Sequence, residues 1–208
     1  MLVIGATGET GRAVVDEALR RGISVSVLVR RAEDSGAFPA GVRVTVGDAR
    51  DEAALRQALA GETLVVSTLG ARRGTPVGTV RSDATRTMVA AMSASGVRRL
   101  VAVSSIGVGD SVARMSRASR LLWPRIVGAD RLAEVERMEA ILASSPLDWT
   151  VVRPPRLMSG QPTGRAEVGT GVETGMRSQL DRADLARVLV DLALDAATVR
   201  TAVTATAA

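Results

Sequence analysis

The sequence predicts an α/β fold: a doubly wound parallel sheet in three layers, built as a single domain over residues 1–208. Three observations predict it. Short β-branched runs alternate with stretches of helical periodicity, the pattern of a parallel sheet covered on both faces. A glycine-spaced turn separates the first such run from the first helix. The chain has 208 residues, 46% apolar and 24% charged, the size and composition of one domain with a packed core.

The elements follow in order. Residues 2–4 form the first strand, and Val14, Val15, Ala18 and Leu19 mark the buried stripe of the first helix. Residues 24–29 and 42–46 give the second and third strands, and Ala54, Leu55, Ala58 and Leu59 a second helix. Residues 63–67 form a fourth strand, followed by a helix with Met88, Val89 and Met92 on its core face, the two methionines as filler. Residues 100–104 and 149–153 are the fifth and sixth strands, separated by a helix at 131–143. Asp181 caps a last helix carrying Leu185, Val188, Leu189 and Leu192, and residues 199–204 read as a terminal edge strand. The stretches 106–128 and 156–179 read as irregular. In a doubly wound sheet both leave the carboxyl edge, so they are expected to be substrate-site segments.

Composition narrows the chemistry. All 27 basic residues are Arg, and 22 acidic residues leave a net charge of +5; Lys, Tyr, Asn, His and Cys are absent. Without Cys there is no disulfide, thiolate nucleophile or iron–sulfur ligand, and without His the commonest metal ligand and general base is missing. No metal site is expected. Without Lys there is no Schiff base, and without Tyr no phenolic acid. The positive charge is modest, and Phe38, Trp123 and Trp149 are too few to form a series of stacking platforms, so a nucleic-acid partner is not expected. Met1 to Gly5 is too short for a signal segment, and no run reaches the ~18 apolar residues of a membrane span. The expected location is cytoplasmic, as a monomer or small homo-oligomer.

The turn Gly5-Ala6-Thr7-Gly8-Glu9-Thr10-Gly11 carries the most information. Gly5 permits a tight turn, Gly8 lets backbone approach a pyrophosphate, and Gly11 allows close packing of helix on strand. The helix N-terminus then offers unpaired N–H groups and a positive dipole end to an anion. Strand, turn, helix and second strand together read as a Rossmann dinucleotide site. At the end of the second strand, where an acidic residue would select a free ribose, the chain has Arg30 and Arg31. A guanidinium suits a 2′-phosphate, so NADP(H) is expected in preference to NAD(H).

GATGETG at 5–11, LVRR at 28–31, GDARD at 47–51, STLGARR at 67–73, VSSIG at 103–107, LDWTVVRPPRL at 147–157 and RADLARVLVDL at 182–192 together resemble the atypical short-chain dehydrogenase/reductases. The likeness is greatest to the flavin reductase and biliverdin reductase B group, with NmrA-like proteins nearby. The resemblance implies that Thr7, Gly8, Thr10 and Gly11, with Gly5 and Glu9 in the same loop, hold the pyrophosphate, and that Arg30 holds the 2′-phosphate. It implies further that Asp48 and Ala49 flank the adenine, and that Leu69, Gly70, Arg72 and Ser82 line the cofactor. Ser104 and Ser105 would lie beside the nicotinamide, with Pro155, Arg156 and Leu157 closing over it. Arg156 and Val135 stand where biliverdin reductase B has histidines, a departure that bears on the tetrapyrrole substrate.

The missing residues constrain mechanism. Reduction to an alkoxide needs a proton donor such as the Tyr and Lys pair of typical superfamily members, and this chain has neither. A flavin, quinone or linear tetrapyrrole delocalises the incoming electron pair and can collect its proton from water. Such an acceptor is the expected small-molecule substrate, flavin included as substrate rather than as tightly bound cofactor. Ser105 is the candidate to orient it or relay a proton, Ser104 standing beside it. A non-enzymatic NmrA-like NADP(H)-binding redox sensor is the alternative, since it would share every cofactor residue. The basic stretch Arg114, Arg117, Arg120 and Arg125, interleaved with Leu121, Leu122 and Trp123, reads as a substrate-covering segment or solvated face, and Glu134, Glu136 and Glu139 as a solvated helix surface.

Overall fold

A computed structural model describes residues 1–70 and 76–208. Eight strands form the main sheet: β1 (Leu2–Ile4), β2 (Ser26–Val29), β3 (Arg43–Val46), β4 (Leu64–Ser67), β5 (Arg99–Val103), β6 (Asp148–Arg153), β8 (Ala166–Gly169) and β10 (Thr201–Ala207). Their order is β3-β2-β1-β4-β5-β6-β10-β8; every pairing is parallel except the antiparallel one between β10 and β8. A short parallel pair, β7 (Arg156–Met158) and β9 (Gln179–Asp181), lies apart.

Helices cover both faces. α1 (Glu9–Arg20) and α6 (Arg182–Leu194) lie on one side. α2 (Glu52–Leu59), α3 (Val80–Ser95) and α5 (Ala129–Ala143) lie on the other, with α4 (Arg117–Val127) preceding α5. Strand alternation divides the core between the layers. Val3, Val27, Val66, Val101 and Val152 pack with Val14, Val15, Leu185 and Leu189, whereas Leu2, Ile4, Leu28, Val65 and Leu100 pack with Leu55, Met88, Met92 and Leu142. Local chemistry sets the ends. Asp51 caps α2 and Asp181 caps α6, each accepting a backbone N–H at 2.9 Å, from Ala53 and Ala183, and Gly96 (φ +73°) closes α3.

Three expectations need correction. The terminal strand is internal, because β8 pairs with its second half, Thr204 opposite Gly169 through Ala207 opposite Ala166. The stretches read as irregular contain α4, β7 and β8, and they are stitched together by Ser116 N–H to the Thr174 carbonyl (2.8 Å) and Thr174 N–H to the Arg114 carbonyl (3.1 Å). Glu134 and Glu139 are not on a solvated surface: Glu134 is buried, and the Glu139 side chain is 14% exposed. Among the described residues, no helix is long and apolar enough to cross a membrane.

Candidate dinucleotide and acceptor site

Parallel strands bring the first six strand ends, and the residues that follow them, to one edge of the sheet. After β1 the chain turns at Gly5 (φ +84°), and the Gly8 N–H donates to the Gly5 carbonyl at 3.0 Å. A methyl group on Gly11 would lie 2.2 Å from that carbonyl oxygen, and one on Gly5 would lie 2.8 Å from the Thr68 hydroxyl oxygen. The fold itself requires those two glycines. Gly8 differs: its φ of −76° suits any residue, and the nearest heavy atom to an added methyl is the Gly5 oxygen at 3.4 Å. The protein has room for a side chain at the N-cap of α1 and lacks one there, which leaves the first-turn N–H groups open toward the sheet edge. Thr7, Gly8 and Glu9 are exposed and Thr10 half-buried around that opening. This arrangement fits a pyrophosphate.

Arg30, just after β2, is exposed and makes no hydrogen bond or ion pair among the described residues, whereas Arg31 pairs with Asp34. Arg12, which the motif reading passed over, stands in the same neighbourhood: Arg12 and Arg30 both add to the pull of Arg31 that holds the Asp34 carboxyl below its ordinary range. After β3, Asp48 accepts from the Arg50 side chain at 2.8 and 3.0 Å and from its backbone N–H at 2.9 Å. That guanidinium holds the Asp48 carboxyl below the usual range, with Arg30 contributing. Ala49 beside it is buried, Leu69 is half-buried and Gly70 exposed; Arg72 lies outside the described residues.

The second half of the edge holds a pocket of about 160 Å³ lined by Val77, Arg81, Ser104, Ser105, Val127, Arg131, Glu134 and Val135. Ser104 is buried and its hydroxyl donates to Glu139. Glu139 in turn holds Arg153 through Nε (3.0 Å) and Nη2 (2.6 Å), and Arg153 also pairs with Asp110. Burial opposes the Arg153 charge, but hydrogen bonds to Glu139 and Asp110 outweigh it and raise its pKa; the same pair holds Asp110 below its ordinary value. Ser105 is half-buried, donates to the Ile106 carbonyl at 3.0 Å, and is one of the residues lining the pocket.

Ser82 is buried in the first turn of α3. Its N–H and hydroxyl donate to Glu134 at 2.8 and 3.0 Å. Glu134 also receives Arg137 at 2.8 and 3.1 Å. Pro155 is buried, Arg156 is exposed on β7, and Leu157 packs against the core layer that contains Leu180. Strand patterning could not reveal Arg81, Glu134 or Glu139: in an Arg-rich chain one more Arg has no signature, and helical Glu residues ordinarily face water.

Comparison with known proteins agrees with this geometry. A family model described as NAD(P)H-binding matches residues 5–196. A 3-diazoavenalumate denitrifying reductase from a Streptomyces species is 33% identical over 184 residues, 81% of this chain and 59% of that protein. The chain spans between 59% and 61% of the length of the curated relatives it matches. Among solved structures, ChuY, an anaerobillin reductase from Escherichia coli O157:H7, superposes with a TM-score of 0.83 at 27% identity, over 98% of this chain and 95% of that one. A Veillonella parvula short-chain dehydrogenase/reductase in complex with NADP gives a TM-score of 0.81 at 18% identity, over 98% and 92% of the two chains, a likeness of fold. With the matched region running from the glycine turn through α6, the chain belongs to the NAD(P)H-binding family.

Proposed function

We propose that this chain is an NADPH-dependent reductase that passes hydride to an acceptor able to delocalise the electron pair: a flavin, a quinone or a linear tetrapyrrole. The observation that carries the reading is Gly8, a glycine that the fold does not require, at the open N-terminus of α1. Gly5, Thr7, Gly8, Glu9, Thr10 and Gly11 would hold the pyrophosphate. Arg30 would hold the 2′-phosphate, with Asp48 and Ala49 toward the adenine. When bound, the dinucleotide supplies the hydride. Leu69, Gly70, Pro155, Arg156 and Leu157, at the ends of β4 and β6, would bound its nicotinamide half. The name of the related reductase and the NADP complex of the Veillonella structure support the same direction.

The residues near the acceptor orient it and exclude water. The Ser104 hydroxyl is committed to Glu139, Glu134 is ion-paired to Arg137, and the chain has no His, Cys, Tyr or Lys. The described residues that line the pocket thus include none of the usual side-chain proton donors, so an acceptor whose reduced anion takes a proton from water suits the site. Ser105 would orient that acceptor. The test is steady-state NADPH oxidation against a panel of flavins, quinones and tetrapyrroles, with Gly8→Val as control. Turnover with at least one acceptor is expected, abolished in a folded Gly8→Val protein. Tight NADPH binding with no turnover across the panel would favour the redox-sensor reading instead.

A further inference from the structure

Arg81 stands in the first turn of α3 and lines the pocket beside Ser105. Part of the residue surface is open, its guanidinium makes no hydrogen bond or ion pair among the described residues, and its Nη1 is sealed from solvent. Its Nη2 lies against Gly70, where an added methyl would approach it to 2.9 Å. Burial pushes the guanidinium down to about 10, with the attraction of Glu134 opposing the shift, so it keeps its charge at neutral pH.

A buried cation without a counter-ion is costly and persists where something else satisfies it. The two carboxylates whose fields reach Arg81 are both committed. Glu134 accepts from Ser82 and Arg137, and Glu139 accepts from Ser104 and Arg153. Arg131 adds a second guanidinium to the lining. The lining therefore carries two guanidiniums against the one carboxylate of Glu134, and Arg81 is the one with no hydrogen bond or ion pair among the described residues. At about 160 Å³ it is smaller than the ~300 Å³ that a drug-sized ligand needs, yet ample for one anionic head group.

We propose that Arg81 receives an oxyanion, a carboxylate or phosphate carried as an appendage of the hydride acceptor, and thereby selects anionic acceptors over their neutral counterparts. The inference rests on the reductase reading but is tested without turnover. In the presence of NADP⁺, equilibrium binding is measured for two matched pairs: FMN against riboflavin by flavin fluorescence, and biliverdin against its dimethyl ester by absorbance. The wild type is expected to prefer the anionic member of at least one pair by about tenfold or more, the size of one charge-assisted contact. Preference in the first pair alone identifies phosphate, and in the second alone carboxylate.

In Arg81→Met that preference is expected to fall to about threefold or less. NADP⁺ affinity should stay unchanged and the melting temperature should stay level or rise, because a buried unpaired charge is replaced by an apolar chain of similar length. Arg81→Lys should restore part of the preference. A wild type indifferent to charge in both pairs, whether they bind equally or not at all, overturns the proposal. So does an Arg81→Met protein that loses NADP⁺ affinity instead, which would give the guanidinium to the cofactor. Failure of NADPH turnover leaves this binding comparison intact and counts against the reductase reading alone.

Discussion

Arg30 and Arg31 are neighbours of the same type with different surroundings. Arg31 is occupied by Asp34 at 3.1 Å, whereas Arg30 makes no hydrogen bond or ion pair among the described residues, at the end of the strand where a Rossmann site selects between cofactors. If Arg30 holds a 2′-phosphate, Arg30→Ala should cost about 1.5–3 kcal/mol with NADPH, roughly tenfold or more in affinity, and change NADH binding little. Titration of both proteins with both cofactors checks this; equal affinities in the wild type would remove the assignment. Arg30 could be read from position alone, because strand ends are legible in a hydrophobic run. Arg81 could not, because what distinguishes it is the absence of a hydrogen-bond or ion-pair partner among the described residues, a property of packing.

At the scale of elements, α5 joins three neighbours through two carboxylates on its buried side. Glu134 reaches the first turn of α3, and Glu139 reaches the end of β6 and the residue after β5. The Arg153 and Glu139 side chains are 6% and 14% exposed. Glu139→Gln would leave Arg153 with the exposed Asp110 as its one full charge partner among the described residues, so a loss of about 1.5–3 kcal/mol is expected in urea unfolding. Glu136→Gln, on the exposed side of the same helix, should stay within about 0.5 kcal/mol. These residues also show where pattern reading stops. Period and length located the helix at 131–143, close to the observed Ala129–Ala143. The side to which each Glu turns depended on which Arg and Ser the topology delivered opposite it. Likewise β8, Ala-Glu-Val-Gly, has almost no strand signature of its own and exists through its pairing with β10.

At the scale of the whole molecule, the unusual composition shapes the response to pH. With no His and no Cys, no side chain of ordinary pKa titrates between about pH 5.5 and 8. Below that window the carboxylates decide. Glu17 is held low by its hydrogen bond to Arg20, Asp48 by Arg50 and Asp110 by Arg153. Because their folded values lie below the unfolded ones, the unfolded chain takes up protons first on acidification. The stability they contribute is present above the ordinary carboxylate range and lost as pH falls through their folded values. Melting temperature measured from pH 8 down to 3 should be level to about pH 5.5 and then fall below about pH 4. A transition near pH 6.5 would contradict this account.

The small antiparallel strand β8 has a consequence beyond the site. β10 reads Thr-Ala-Val-Thr-Ala-Thr-Ala, seven residues without a charge, a Pro or a Gly, and four of them, Thr204 to Ala207, take β8 as their outer neighbour. Uncovered, such a strand is the kind of ladder on which another chain can template itself. β8 ends the ladder with a short strand carrying Glu167 and closing on Gly169, and β3 ends the opposite edge with Arg43. The excursion that leaves the carboxyl edge after β6 thus covers the outer side of a strand of that kind. Loop changes that unseat β8 are therefore expected to promote association of the chain, read by light scattering.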